Sequence, residues 1–119
     1  MNFVSTRVIT ADVPRLVDFY EQVTGLTATR FTPEFAEIGT GAARLAIAGA
    51  GTVPDGIRDG ETILEFLVDD VDAHRDLPGV LMPPTTMPWG NRSMLLRDPA
   101  GHLINLFTPV TEAARARFR

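Results

Sequence analysis

The sequence predicts an α+β fold of two tandem β-α-β-β-β modules in a single domain of 119 residues. Three observations predict it. The first segment, residues 3–10, is rich in β-branched residues and alternates loosely, which is a strand pattern. An acid-capped helical segment and three short strand-like runs follow it, and after residue 60 the same order begins again. The acidic caps of the two halves, Asp12 and Asp70, are 70 − 12 = 58 residues apart. Under that offset Ser5 overlays Ile63, Arg7 overlays Glu65, and Ile9 overlays Leu67. Identity between the halves is low, so the repeat is one of pattern.

In module one (residues 3–48) Asp12 can accept from first-turn amides, Pro14 suits the first turn, and Gly25 marks the stop. Val13, Leu16, Val17, Tyr20 and Val23 make one apolar stripe at helical spacing. Strands are expected at 26–31, 34–39 and 43–48, separated by Pro33 and the turn Gly39-Thr40-Gly41. Residues 49–60 hold Gly, Pro and Asp with little apolar content and read as a linker. Module two (residues 61–109) opens with a strand over 61–69 and a short helix over 70–77, capped by Asp70 and ended by Pro78-Gly79. The strand over 80–87 is interrupted by Pro83-Pro84, which marks it as an edge. A closing hairpin follows: Pro88-Trp89-Gly90, the apolar run Met94-Leu95-Leu96, the turn Asp98-Pro99-Ala100-Gly101, and a strand from Leu103 that Pro109 ends. Residues 110–119, with Arg115, Arg117 and Arg119, read as a solvated helical tail.

Composition narrows the chemistry. The net charge of −4 argues against nucleic-acid or anionic-membrane partners. All 11 basic residues are arginine, so no lysine is present for Schiff-base chemistry, and no cysteine is present for thiolate or disulfide chemistry. The absence of cysteine suits a reducing cytoplasm, no secretory leader pattern occurs at the N-terminus, and no apolar run is long enough to span a bilayer. Ser5 and Ser93 are the only serines, and neither lies in a nucleophile-elbow pattern. Of the two histidines, His74 reads as solvated and His102 as a turn residue.

Three segments carry a resemblance to a known family. They are 12–26 with its Phe19-Tyr20 and Gly25-Leu26 pairs, 66–73 (Phe-Leu-Val-Asp-Asp-Val-Asp-Ala), and the hairpin with Pro88-Trp89-Gly90 and the Asp98 turn. In this order they resemble the vicinal-oxygen-chelate superfamily, which includes glyoxalase I, the extradiol dioxygenases and the bleomycin-resistance proteins. The resemblance covers about residues 3–109. It implies curved mixed sheets with helices outside, a homodimer, and a ligand groove between modules. It also implies a divalent metal held by histidines on the first strands and a glutamate on a closing strand. The matching positions here are Ser5, Ile63 and Asn105, with Leu45 or Ile47 as the closing-strand position of module one. These are poor or impossible ligands for a first-row metal, so neither a metal nor another cofactor is expected.

Period-two alternation puts Ser5, Arg7 and Ile9 on one strand face, and Ile63, Glu65 and Leu67 on the matching face of the second module. If the helices cover the opposite faces, Arg7 and Glu65 point into the concave side. Two readings stand side by side: an internal salt bridge that fills the space of a lost metal, or a recognition pair for a polar ligand. Glu65 as a general base is the less favoured role, because a paired carboxylate is held ionised. Trp89 is the candidate to stack on a flat ligand. The candidate ligand-binding residues are therefore Ser5, Arg7, Ile63, Glu65, Trp89 and Asn105, with no catalytic residue assigned. The expected function is metal-free sequestration of a small, partly aromatic compound, in the manner of the bleomycin-resistance group. The rival expectations are a glyoxalase-type lyase, isomerase or dioxygenase using Glu65 with Asn105, and a fold whose cavity is filled by its own side chains.

Overall fold

The computed structural model describes residues 1–40 and 43–118, apart from the side chains of Val23, Thr40 and Ala43. The Gly41 end of the expected turn and the Val23 side chain of the helical stripe lie outside that set. The backbone forms two compact units, one spanning Val4–Ile63 and the other taking Met1–Phe3 with the chain from Leu64 onward.

The first unit holds β1 (Asn2–Thr10) from Val4 onward, α1 (Val13–Thr24), β2 (Thr29–Thr32), β3 (Phe35–Thr40) and β4 (Ala43–Gly49). Its strands lie in the order β2-β3-β4-β1, with β1 parallel to β4 and the other neighbours antiparallel. The start of α1 follows from its cap: Asp12 Oδ1 accepts from the Arg15 amide at 3.1 Å, and Pro14 occupies the first turn. The end follows from Gly25 at φ 73°, a left-handed position, whose N–H reaches the Glu21 carbonyl at 2.9 Å. Val13 and Val17 then pack on Ala28, Ala36, Ile38 and Ile47, with Val8, Leu16, Tyr20 and Leu45 at the margin. β2 begins at Thr29, three residues later than the sequence suggests. The Glu21 carboxylate accepts from the Ala28 amide at 2.8 Å and from Arg30 Nη2 at 2.9 Å. Those bonds hold the preceding residues as a loop, with Leu26 exposed. The Arg30 guanidinium in turn holds the Glu21 carboxyl below its ordinary pKa.

The second unit is built on β5 (Thr62–Leu67), β6 (Val80–Thr86), β7 (Asn91–Arg97) and β8 (Leu103–Pro109), in the order β5-β8-β7-β6. β6 is an edge strand as expected, and its pairing with β7 slips between Met82 and Thr85, where Pro83 and Pro84 break the ladder. The closing turn is built as its sequence implies. Asp98 Oδ1 accepts from the amides of Ala100 and His102, both at 2.9 Å, and Gly101 sits at φ 93°.

Two expectations are corrected here. The helix expected over 70–77 is a single 3₁₀ turn, Val71–His74, capped by Asp70 through the Asp72 amide at 3.1 Å. Val71 is its one buried residue, so no apolar stripe is present to support more turns. The C-terminal tail is helical, as α2 (Glu112–Arg117), but it is not wholly solvated. Ala114 is buried, and Phe118 packs on Phe107 with ring centroids 5.2 Å apart.

The 3₁₀ turn is fastened to β7 by charge. Asp72 accepts from Arg92 Nε at 2.7 Å and Nη2 at 2.9 Å, a two-point fork, and from Arg75 at 2.6 Å. Hydrogen bonding to Arg92 first, and then to Arg75, lowers the Asp72 pKa to about 2. A carboxylate whose folded pKa lies below its unfolded value contributes stability above the unfolded value and loses it as pH falls through the folded one. Replacing Asp72 with Asn is therefore expected to lower the Tm at pH 7 and to lower it much less at pH 2. A Tm difference of the same size at both pH values would show that the fork adds nothing through ionisation.

Candidate functional site

Alternation along β1 buries Ser5, Arg7 and Ile9 on the face away from α1, while Val8 packs toward the helix. Arg7 is 2% exposed. Its partner in the parallel register is Ala46, and Ile9 is opposite Ala48. This corrects the closing-strand position of module one. Leu45 and Ile47 belong to the helix-side cluster, so the residue beside Arg7 is Ala46, which has no donor atom to offer.

In the second unit the face under the 3₁₀ turn carries Phe66, Met94, Leu96, Ile104 and Leu106, packed with Val68, Val71 and Val80. The opposite face can be read from the β7–β8 register, which pairs Asn91 with Pro109, Ser93 with Phe107, and Leu95 with Asn105. Directly opposed residues share a face, so Asn91, Ser93, Leu95, Asn105 and Phe107 stand on one side. Glu65, alternating with Phe66 on the neighbouring strand β5, joins them. Asn105 Nδ2 donates to Glu65 Oε2 at 2.6 Å across 40 residues of sequence, with Glu65 6% and Asn105 4% exposed. The structure therefore brings two of the candidate residues together in a charge-assisted bond shielded from water.

Ile63 is fully buried at the start of β5, Ser5 is buried on β1, and Trp89 is half-buried in the turn between β6 and β7. His102 is exposed, with Nδ1 3.0 Å from Asp98 Oδ2, and stays a turn residue as expected. Ser93 was not among the residues the sequence singled out. It is 3% exposed, and its Oγ has no hydrogen-bond partner among the described residues. The same is true of Asn105 Oδ1 and Asn91 Oδ1. All three belong to side chains on the Glu65 face.

The residues at the metal positions of the resembled family do not fit a metal. Ile63 has no ligating atom, Ser5 offers a neutral hydroxyl, and the Asn105 amide nitrogen is turned toward Glu65. Among the described residues no group of three or more His, Cys, Asp or Glu is placed to hold a metal ion. Likewise no helix is long and apolar enough to cross a membrane.

With the two β-rich units and this face in view, the class of protein is defined by comparison. The model of the Glyoxalase/Bleomycin resistance protein/Dioxygenase superfamily matches residues 2–106, and the chain belongs to that superfamily. A Streptomyces coelicolor methylmalonyl-CoA epimerase variant, solved with 2-nitronate-propionyl-CoA, is similar at 21% identity and a TM-score of 0.71, covering 93% of this chain and 99% of that one. A Legionella pneumophila chain described as NAD-dependent benzaldehyde dehydrogenase is similar at 20% identity and TM-score 0.71, covering 88% and 97%. A superfamily member from Vibrio splendidus follows at 14% identity and TM-score 0.62, covering 87% and 96%. At these identities the likeness is one of fold. No protein of curated function matches the sequence.

Proposed function

We propose that this protein is a metal-free, cytoplasmic small-molecule-binding member of its superfamily, which sequesters a small, partly aromatic compound without covalent chemistry. The observation that carries the reading is the buried Glu65–Asn105 bond. Where a metal-dependent relative would place a carboxylate ligand, this chain has an amide committed to a neighbouring side chain. In the second unit Asn105 and Glu65 supply polar recognition and Trp89 a stacking surface; in the first, Arg7 and Ser5 are the polar candidates and Ile63 the apolar one.

The test is a thermal-shift screen of aromatic compounds together with elemental analysis of the purified protein. Expected are substoichiometric zinc, nickel, iron and manganese, and hits whose Tm shift disappears in Arg7→Ala, Glu65→Gln and Trp89→Ala. One metal per chain that is lost on changing Glu65 would favour a lyase, isomerase or dioxygenase instead.

The binding form is a homodimer. Support comes from the large apolar side chains left exposed, among them Phe3, Phe19, Leu77 and Leu81. Light scattering is expected to give twice the 13.0 kDa chain mass, and the single-chain mass at micromolar concentration would refute it.

A further inference from the structure

A carboxylate oxygen can only accept, so the short contact fixes Nδ2 of Asn105 on the Glu65 side and turns Oδ1 the other way. Oδ1 is thus locked as an acceptor, buried and without a partner among the described residues. Ser93 Oγ is likewise buried without a partner among the described residues, and its hydroxyl can accept as well as donate. The two residues are diagonal neighbours, since Ser93 is opposite Phe107 and Leu95 is opposite Asn105. That places them about 7–8 Å apart on one face. Leaving a buried polar group unsatisfied is costly, and two adjacent cases on one face need a reason beyond folding. Between them the ring of Phe107 is covered by Phe118, one residue beyond the six-residue helix α2. So short a helix depends on its tertiary contacts for stability, so a ligand ring that replaces the Phe118 contact can take its place.

We propose that this face binds a flat aromatic compound carrying N–H or O–H donors. The ligand ring takes the place of Phe118 over Phe107, while its donors reach Asn105 Oδ1 and Ser93 Oγ. Glu65 acts as a positioning residue that holds the Asn105 amide in its accepting orientation. The inference rests on the binding-protein reading and adds the ligand's chemical class and two residues, Ser93 and Phe118.

The experiment uses matched probes on the full chain: indole against N-methylindole, phenol against anisole, and benzamide against N,N-dimethylbenzamide. Binding is followed through the side-chain amide signal of Asn105 in ¹H–¹⁵N spectra, which is assigned by its absence in Asn105→Leu. The donor-bearing member of each pair is expected to bind at least tenfold tighter. In Ser93→Ala that preference shrinks while the Tm holds or rises, because the substitution removes an unpaired hydroxyl and strands no partner. Phe118→Ala is expected to bind the donor compounds more tightly. Equal affinity for masked and unmasked members would overturn the donor assignment and leave small-molecule binding standing. A Tm loss of several degrees in Ser93→Ala would also overturn it, by showing that the hydroxyl serves the fold. Absence of binding by all six compounds would overturn both readings.

Discussion

Asn105→Asp is expected to destabilise the protein by about 3–5 kcal/mol at pH 7, the range for breaking a buried charge-assisted pair. The amide nitrogen that donates to Glu65 at 2.6 Å would be replaced by a carboxylate oxygen. Two carboxylates in one shielded site cannot both ionise cheaply, so the pair takes up a proton in the folded state and its apparent pKa rises. The sign of the pH dependence follows. The folded variant binds more protons than the unfolded chain, so its stability recovers as pH falls toward about 5. Urea unfolding at pH 5, 6, 7 and 8, beside the unaltered protein, measures this. A loss below about 1 kcal/mol that is flat across those pH values would mean that water screens Glu65 and Asn105 from each other.

Met94→Ala is expected to cost about 2–5 kcal/mol, the usual range for emptying a buried site of this size. Met94 is 0% exposed and packs with Val68, Val71, Leu96 and Leu106 on the face of β7 under the 3₁₀ turn. Its neighbour Ser93 points the other way, and Ser93→Ala is expected to leave the Tm unchanged or higher. Adjacent positions on one strand should therefore respond in opposite directions. Equal losses at both would mean that β7 does not separate a packing face from a recognition face.

Much of this was legible in the sequence because strand faces obey period two wherever one face is polar. Ser5, Arg7 and Glu65 interrupt apolar runs with polar atoms, which sets their face without further information. The same rule gives nothing where both faces are apolar. In Leu45-Ala46-Ile47-Ala48 every residue is apolar, so the alternation alone does not say which pair shares the face of Arg7. Small alanines face that way, opposite Arg7 and Ile9, while Leu45 and Ile47 fill the space under α1. Ser93 reads in the sequence only as a serine outside any nucleophile pattern, ahead of the apolar run Met94-Leu95-Leu96. Only the β7–β8 register, a non-local property, places it diagonally to Asn105. The shortened helix of module two shows the limit of capping signals. Asp70 does cap, but a cap cannot extend a segment that has one buried residue and is stopped by Pro78.

The proline pair in β6 bears on how copies of this chain can meet. Pro83 and Pro84 have no N–H to offer, and the Pro83 carbonyl is already taken by Thr85 Oγ1 at 2.7 Å. An incoming strand laid along that rim would meet a missing donor beside an engaged acceptor, within a segment whose register already slips. Sheet extension by backbone pairing is therefore blocked there, and with it the route by which exposed edges seed fibrillar stacking. Self-association through this rim must rely on side chains such as Leu81, so it should respond to a single change such as Leu81→Lys, as backbone pairing would not.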